Sequence, residues 1–136
     1  MSARTPAEPV AAASVILLRD GSAGLEVLMV ERHHAIDFAK GALVFPGGKV
    51  AASDRESGLV RRCAAAELDP ETLALRVAAI RETFEESGVL LARSAGGEKL
   101  LSGGKQQRIA DRHRTAVDRA ERGLLEVAET EDLELA

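Results

Sequence analysis

Three glutamates stand close together in the segment RETFEESG, residues 81–88. On an α-helix, with about 100° between successive residues, Glu82, Glu85 and Glu86 lie on one side. Like charges one turn apart destabilise a helix by some tenths of a kcal/mol, and the macrodipole disfavours anions in the last turns. A hard divalent cation would offset both penalties, because Mg²⁺ takes carboxylate oxygens as ligands. The spacing therefore indicates a metal site, with a solvated acidic face as the ordinary alternative.

The opposite side of the same helix is apolar. Four residues at helical spacing form a stripe that should face a core: Leu73, Val77, Ile80 and Phe84. Asp69 and Pro70 have the residue types of an N-cap and a first helical position, and Gly88 is typical of a helix end. The sequence predicts a helix over residues 70–87 that presents its glutamates away from the core.

A glycine-rich turn precedes this helix. Residues 41–45 (GALVF) predict a short strand that Pro46-Gly47-Gly48 stops. The FPGG turn and the acidic helix together resemble the box of the Nudix hydrolases, G-x5-E-x7-R-E-U-x-E-E-x-G-U, where U is aliphatic. Gly48 matches the first glycine and Asp54 stands at the first acid. The second half of the box is matched by Arg81, Glu82, Glu85, Glu86, Gly88 and Val89.

The chain departs from this pattern in two places. Thr83 replaces an aliphatic residue, which is a mild change. Between Asp54 and Arg81 there are 26 residues, where the box has seven, so we place an insertion at about residues 55–73. Such an insertion resembles a subgroup of the family that includes coenzyme A diphosphatases.

The resemblance implies a metal-dependent hydrolase that cleaves a diphosphate linking a nucleoside to another moiety, by attack of water at phosphorus. It implies Mg²⁺ or Mn²⁺ as cofactor, and coenzyme A or acyl-coenzyme A as favoured substrates. The implied catalytic residues are Glu82, Glu85 and Arg81, where Arg81 orients a glutamate by ion pairing. The implied metal ligands are Glu82, Glu85, Glu86 and Gly48. Asp54 would have a structural role, which the insertion puts in doubt. Residues expected to contact substrate are Arg32, His33, Phe45 and Gly47.

Length and composition describe one globular domain: 136 residues, 46% apolar and 29% charged. No apolar run approaches the roughly 20 residues that span a bilayer, and residues 11–18 lack the flanks of a signal peptide. The net charge of −4 gives no general attraction to nucleic acid. The single cysteine, Cys63, fits a reducing compartment.

We expect a cytoplasmic protein with a small-molecule nucleotide-diphosphate substrate and without nucleic-acid or membrane partners. Homodimers occur in the resembled family.

The expected fold class is α/β, a Nudix-type α/β/α sandwich with a mixed sheet. Strands are predicted at residues 14–19, 25–32 and 41–45, with a short fourth strand at 89–92. Residues 1–13 are expected to be a flexible N-terminus, and residues 14–136 the Nudix domain with its box at 48–89. Residues 94–136 are expected to form a helical extension, with a helix at 105–122 and an acidic helical tail at 124–136. The later strands of the family are not found, so we expect a sheet that is incomplete at its C-terminal side.

Two further signals have weaker functional interpretations. Residues 101–108 (LSGGKQQR) resemble the signature stretch of ABC-transporter ATPases, but no Walker A loop accompanies them, and a loop leading into a helix is favoured. The helix at 105–122 has six basic and three acidic residues, which could contact an anion or form a solvated face.

Two alternatives to an enzyme stay open at this point. One is a Nudix-like nucleotide-binding module without turnover, and the other is an inactive N-terminal fragment of a longer enzyme. The presence of all three glutamates favours the enzyme, because a pure binder has less reason to keep them together.

Overall fold

The computed structural model describes residues 7–31, 41–65 and 67–136. Arg32 and His33, which we predicted to contact substrate, lie outside the described residues. The helices are α1 (Pro70–Ser87), α2 (Gly103–Asp118) and α3 (Leu124–Thr130), with 3-10 helices at Ala52–Arg55 and Ser57–Arg62. The strands are β1 (Ala12–Ser14), β2 (Leu18–Gly21), β3 (Gly24–Val27), β4 (Val30–Glu31), β5 (Leu43–Val44), β6 (Gly47–Lys49), β7 (Ala92–Ser94) and β8 (Leu133–Leu135). Within the described ranges, no helix is long and apolar enough to cross a bilayer.

The described strands associate as antiparallel pairs: β1 with β6, β2 with β3, β4 with β5, and β7 with β8. The FPGG segment does more than stop a strand, since its glycines belong to β6 and pair with β1. This pairing requires glycine, because a Cβ atom at position 47 would overlap the carbonyl oxygen of Ala13. The FPGG turn, which was predicted only to end a strand, is therefore itself part of a β-strand pair.

Helix α1 has the limits that the sequence predicts. The Asp69 carboxylate accepts hydrogen bonds from the backbone N–H groups of Glu71 (3.2 Å) and Thr72 (3.1 Å), with Pro70 in the first turn. Gly88 ends the helix in the left-handed conformation, with φ 76°. The predicted apolar stripe is buried, and Phe84, its last member, has no exposed surface.

The core lies where α1, α2 and α3 meet the pair of β7 and β8. In the LSGGKQQR segment, Ser102 caps α2 and Gln106 joins α2 to the segment that follows α1. The Gln106 side chain donates to the Leu90 carbonyl and accepts from the Leu90 N–H, both at 2.8 Å. These contacts give the motif a structural role, in agreement with the favoured interpretation.

The C-terminal tail differs from the prediction. A helix continuing to residue 136 was wrong, because α3 ends at Thr130 and the chain forms strand β8. Leu133 and Leu135 are completely buried while Glu134 between them pairs with Arg93, which is the alternation of a strand. The strand after α1 begins at Ala92 rather than at residue 89. Residues 94–136 are thus not wholly helical, and the C-terminus contributes to the core.

Candidate active site

Arg81 lies at the centre of the candidate site, with its side chain only 9% exposed. Its Nε and Nη2 atoms donate to the two carboxylate oxygens of Asp54, at 2.9 Å and 3.0 Å. Its Nη1 atom donates to Glu82 and to Glu85, both at 3.0 Å, and Nη2 also donates to the Lys49 carbonyl at 2.9 Å. One buried guanidinium therefore connects three acidic side chains and the end of β6.

The insertion does not separate the two halves of the box. The described part of residues 55–80 includes the second 3-10 helix, Ser57–Arg62, and the first turns of α1, and Asp54 meets Arg81 across this stretch. The Asp54 side chain is 1% exposed and also accepts from the Ala51 N–H at 2.8 Å, at the start of the first 3-10 helix. The insertion put the structural role of Asp54 in doubt, but the structure places its carboxylate against the Arg81 guanidinium. In this position Asp54 holds the Arg81 side chain in place.

The FPGG segment lies across the acidic side of α1. A Cβ atom on Gly48 would overlap the carboxylate of Glu82, so the close approach of backbone and carboxylate requires glycine. The Gly47 N–H donates to Glu86 at 3.4 Å, which is a long hydrogen bond. Gly47, Gly48, Glu82 and Glu86, which are far apart in sequence, therefore meet as the box predicts.

Burial and the contacts between Arg81 and Glu85 shift the pKa values of these two side chains in opposite directions. Burial raises the pKa of Glu85, the hydrogen bond from Arg81 opposes this, and the negative charges of Glu82 and Asp118 add to the increase. For Arg81, burial by itself would lower the pKa, but hydrogen bonds to Asp54 and Glu85 raise it above the ordinary arginine value. Arg81 is therefore a fixed cation, and it positions the glutamates rather than transferring protons.

A cavity of about 1100 Å³ opens over this acidic wall. Glu82, Glu85 and Glu86 line it together with Gly47 and Gly48. The predicted substrate residue Phe45 also lines it. Helix α2, which packs beside α1, also contributes to the lining through three residues that the sequence did not single out: Arg114, Thr115 and Asp118. The basic character of the segment 105–122 was the available signal, but sequence spacing does not tell which of its six basic residues faces a cavity.

The donor chemistry of this wall fits a divalent cation. Within the described ranges, no three His, Cys, Asp or Glu side chains are grouped closely enough to hold a metal by themselves. Arg81 holds two of the carboxylates, those of Glu82 and Glu85, which are 16% and 13% exposed. Mg²⁺ usually takes one or two carboxylates and completes its shell with water and substrate phosphate. The glutamates and the backbone oxygens of the FPGG turn offer ligands of that kind.

Comparison with known proteins supports the same family. No family model matches the chain. The acyl-coenzyme A diphosphatase NUDT19 of Xenopus laevis is 32% identical over 102 residues, which covers 54% of this chain and 27% of that protein. The crystal structure of a Nudix hydrolase from Alicyclobacillus acidocaldarius matches with a TM-score of 0.56 and 28% identity, covering 91% of this chain and 55% of that one.

The two similarities confirm the Nudix-type α/β fold and the resemblance to coenzyme A diphosphatases. The chain spans about a quarter of the length of the curated relative and about half the length of the solved structure.

Proposed function

We propose that this Nudix-family chain is a metal-dependent diphosphatase that hydrolyses nucleoside diphosphates linked to a second moiety, with coenzyme A or acyl-coenzyme A as the favoured substrate. The similarity to an acyl-coenzyme A diphosphatase supports the substrate class. A cytoplasmic location is part of the proposal, and the buried free thiol of Cys63 is compatible with it. We expect the protein to act on a small-molecule substrate and to have no nucleic-acid or membrane partners.

The observation that carries the proposal is the meeting of the FPGG backbone with the acidic side of α1. Gly48 lies against Glu82 because it has no side chain, and Arg81 fixes Glu82 from the other side. In the proposal, Glu82, Glu85, Glu86 and the Gly48 carbonyl hold Mg²⁺ or Mn²⁺. The metal would neutralise charge on the diphosphate and lower the pKa of bound water.

The remaining chemistry belongs to the chain itself. A water oxygen bonds to one phosphorus while the bridging P–O bond breaks, and the proton of that water needs an acceptor. Glu85 suits this step through a carboxylate oxygen that does not bind the metal, because its side chain lines the cavity beside the other glutamates and is only 13% exposed. Arg81 would keep Glu85 oriented through the 3.0 Å hydrogen bond. Asp54 would act only through Arg81.

The test is hydrolysis of coenzyme A, an acyl-coenzyme A and a nucleoside diphosphate sugar by the full chain with Mg²⁺ or Mn²⁺. Glu86→Gln should reduce the rate by more than the roughly 10- to 100-fold that loss of an outer-shell metal partner costs. Glu129→Gln, at an exposed glutamate of α3, is the matched control and should retain the rate. Equal rates in both variants would contradict the assignment of the metal site.

A thermal melt with and without Mn²⁺ distinguishes the enzyme from its alternatives. Metal that binds only the native state raises its stability by mass action. A cooperative transition that Mn²⁺ raises in the natural chain but not in Glu86→Gln supports the site. Metal and nucleotide binding without hydrolysis would indicate a binding module instead. A chain without a cooperative transition would overturn the proposal for this chain.

A further inference from the structure

The cavity walls that the structure describes are strongly acidic. Five carboxylates line them: Glu31, Glu82, Glu85, Glu86 and Asp118. Arg114 of α2 is the single basic residue among the described lining residues. A phosphate-bearing substrate entering this cavity would be repelled by the carboxylates that a metal does not neutralise. A cation among these lining residues is therefore the feature that such a ligand needs.

We propose that Arg114 is the residue that binds a phosphate group of the substrate and brings α2 into the active site. The inference rests on the proposed function for the class of ligand, and it goes beyond the box because Arg114 lies outside it. The sequence alone suggested only that the helix could contact an anion.

The backbone of α1 already orients the guanidinium. The Arg114 Nε atom donates to the carbonyl oxygen of Glu85 at 2.8 Å. This carbonyl belongs to the last turn of α1, where carbonyls lack partners within the helix. Gly88 has no side chain, and a Cβ atom there would lie 3.5 Å from Arg114 Nη1. The end of α1 therefore provides an anchor for this side chain.

The rest of the guanidinium remains available for a ligand. Within the described ranges, Nε is the only atom of Arg114 with a hydrogen bond, so Nη1 and Nη2 keep their donors. Two nearby arginines are occupied otherwise: Arg112 pairs with Glu131, and Arg122 pairs with Glu126. A planar guanidinium presents its donors in the geometry of phosphate oxygens, and one that is already held loses less freedom on binding.

The experiment compares Arg114→Gln with Arg108→Gln. Arg108 is on the same helix and exposed, and no ion pair joins it to the described residues, so it is the matched control. For Arg114→Gln we expect KM to rise by about 10- to 100-fold, the value of a hydrogen bond to a charged group, with kcat much less affected. Arg114→Lys should recover part of the loss because it restores the charge. The control should behave as the natural chain.

Two substrates identify which phosphate is bound. If Arg114 contacts the diphosphate, KM rises equally for coenzyme A and for dephospho-coenzyme A. If it contacts the phosphate on the ribose, only the KM for coenzyme A rises. An unchanged KM for both substrates would overturn the inference and leave the proposed hydrolase intact.

Binding of ADP in the presence of Mg²⁺, measured by titration calorimetry, separates this inference from the proposed hydrolysis. ADP binding that is weakened in Arg114→Gln but not in Arg108→Gln supports the inference even if the chain hydrolyses nothing. A melting temperature that falls in Arg114→Gln while ADP affinity and KM stay unchanged would make Arg114 a cap of α1 only. Absence of ADP binding by the natural chain would overturn the inference.

Discussion

The chain divides into two regions that differ in how their apolar residues are used. We call residues 7–50 the strand region and residues 51–136 the helical region, within the ranges described. In the strand region Pro46 is the only buried residue. In the helical region, by contrast, one cluster of buried apolar residues joins all three helices and the pair of β7 and β8. The two regions meet at the candidate site, where Gly47 and Gly48 face Glu82 and Glu86.

The difference teaches that an apolar pattern predicts a strand better than it predicts burial. Leu25 is 70% exposed, Leu43 68% and Ile16 61%, although all three lie in segments that the sequence predicts as strands. An isolated two-stranded pair buries little, because burial needs a second layer over one face. The helices of the helical region provide such a layer for one another. The acidic side chains of α1 at the site therefore belong to the better buried region.

The largest expected effect comes from comparing two phenylalanines, one from each region: Phe84 and Phe45. Phe84→Ala should lower the free energy of unfolding by about 3–5 kcal/mol, because the ring is fully buried in the helical region. Phe45→Ala should change it by less than about 1 kcal/mol, because Phe45 is 40% exposed in the strand region. Urea unfolding of both variants, followed by far-ultraviolet circular dichroism, measures the difference. Similar losses would mean that the strand region is as well packed as the helical one.

A smaller effect is expected where the regions meet. Gly48→Ala should cost about 1–3 kcal/mol, because the added methyl group forces the Glu82 carboxylate to move. It should also reduce the stabilisation by Mn²⁺. Gly103→Ala, at the start of α2 with open space around it, should instead stabilise by about 0.4–1 kcal/mol. Thermal melts with and without Mn²⁺ show whether Gly48→Ala lowers and Gly103→Ala raises the stability. A Gly48→Ala variant of unchanged stability would show that Gly48 and Glu82 need not be so close.

Next in size is the cap of α1. Asp69→Ala should cost about 1 kcal/mol, since the carboxylate accepts two backbone N–H groups at the helix start. Asp20→Ala, in the strand region, should stay within about 0.5 kcal/mol. Chemical denaturation at neutral pH compares the two. A larger loss of stability for Asp20→Ala than for Asp69→Ala would contradict the expectation that the helical region contributes more to stability than the strand region.

The smallest effect is a pH dependence. Glu131 accepts from His113 Nε2 at 2.7 Å, and Arg112 also donates to it. The Nε2 atom must be the donor, because Arg122 donates to the other ring nitrogen. The hydrogen bond from His113 holds the pKa of Glu131 below its ordinary value of 4.5, despite some opposition from burial.

Because folding lowers the pKa of Glu131, its ionised carboxylate stabilises the folded protein. This stabilisation is fully present above pH 4.5 and is lost as the pH falls through the pKa of Glu131 in the folded protein. The stability difference between Glu131→Gln and the natural chain should therefore shrink in acid. Unfolding measured between pH 7 and pH 3 tests this. Glu26→Gln removes a pair that is 45% and 80% exposed in the strand region and should cost less than about 1 kcal/mol. A difference that stays constant in acid would contradict the assigned contact.

The sequence by itself determined the features that depend on near neighbours. Helix α1, its Asp69 cap, its Gly88 end and its buried stripe follow from helical periodicity and from the conformational preferences of single residues. The same local spacing placed Glu82, Glu85 and Glu86 on one side, and the resemblance to the Nudix box supplied Gly48 and Asp54 as their companions.

Only the tertiary structure decided which distant segments meet. It joined Asp54 to Arg81 across the insertion and paired the FPGG turn with β1. It also turned the end of the tail into β8 and aimed Arg114 at the cavity. Periodicity records which face of an element is apolar, but it does not record which other segment covers that face. That choice depends on long-range packing, whose contacts leave no regular spacing in the sequence.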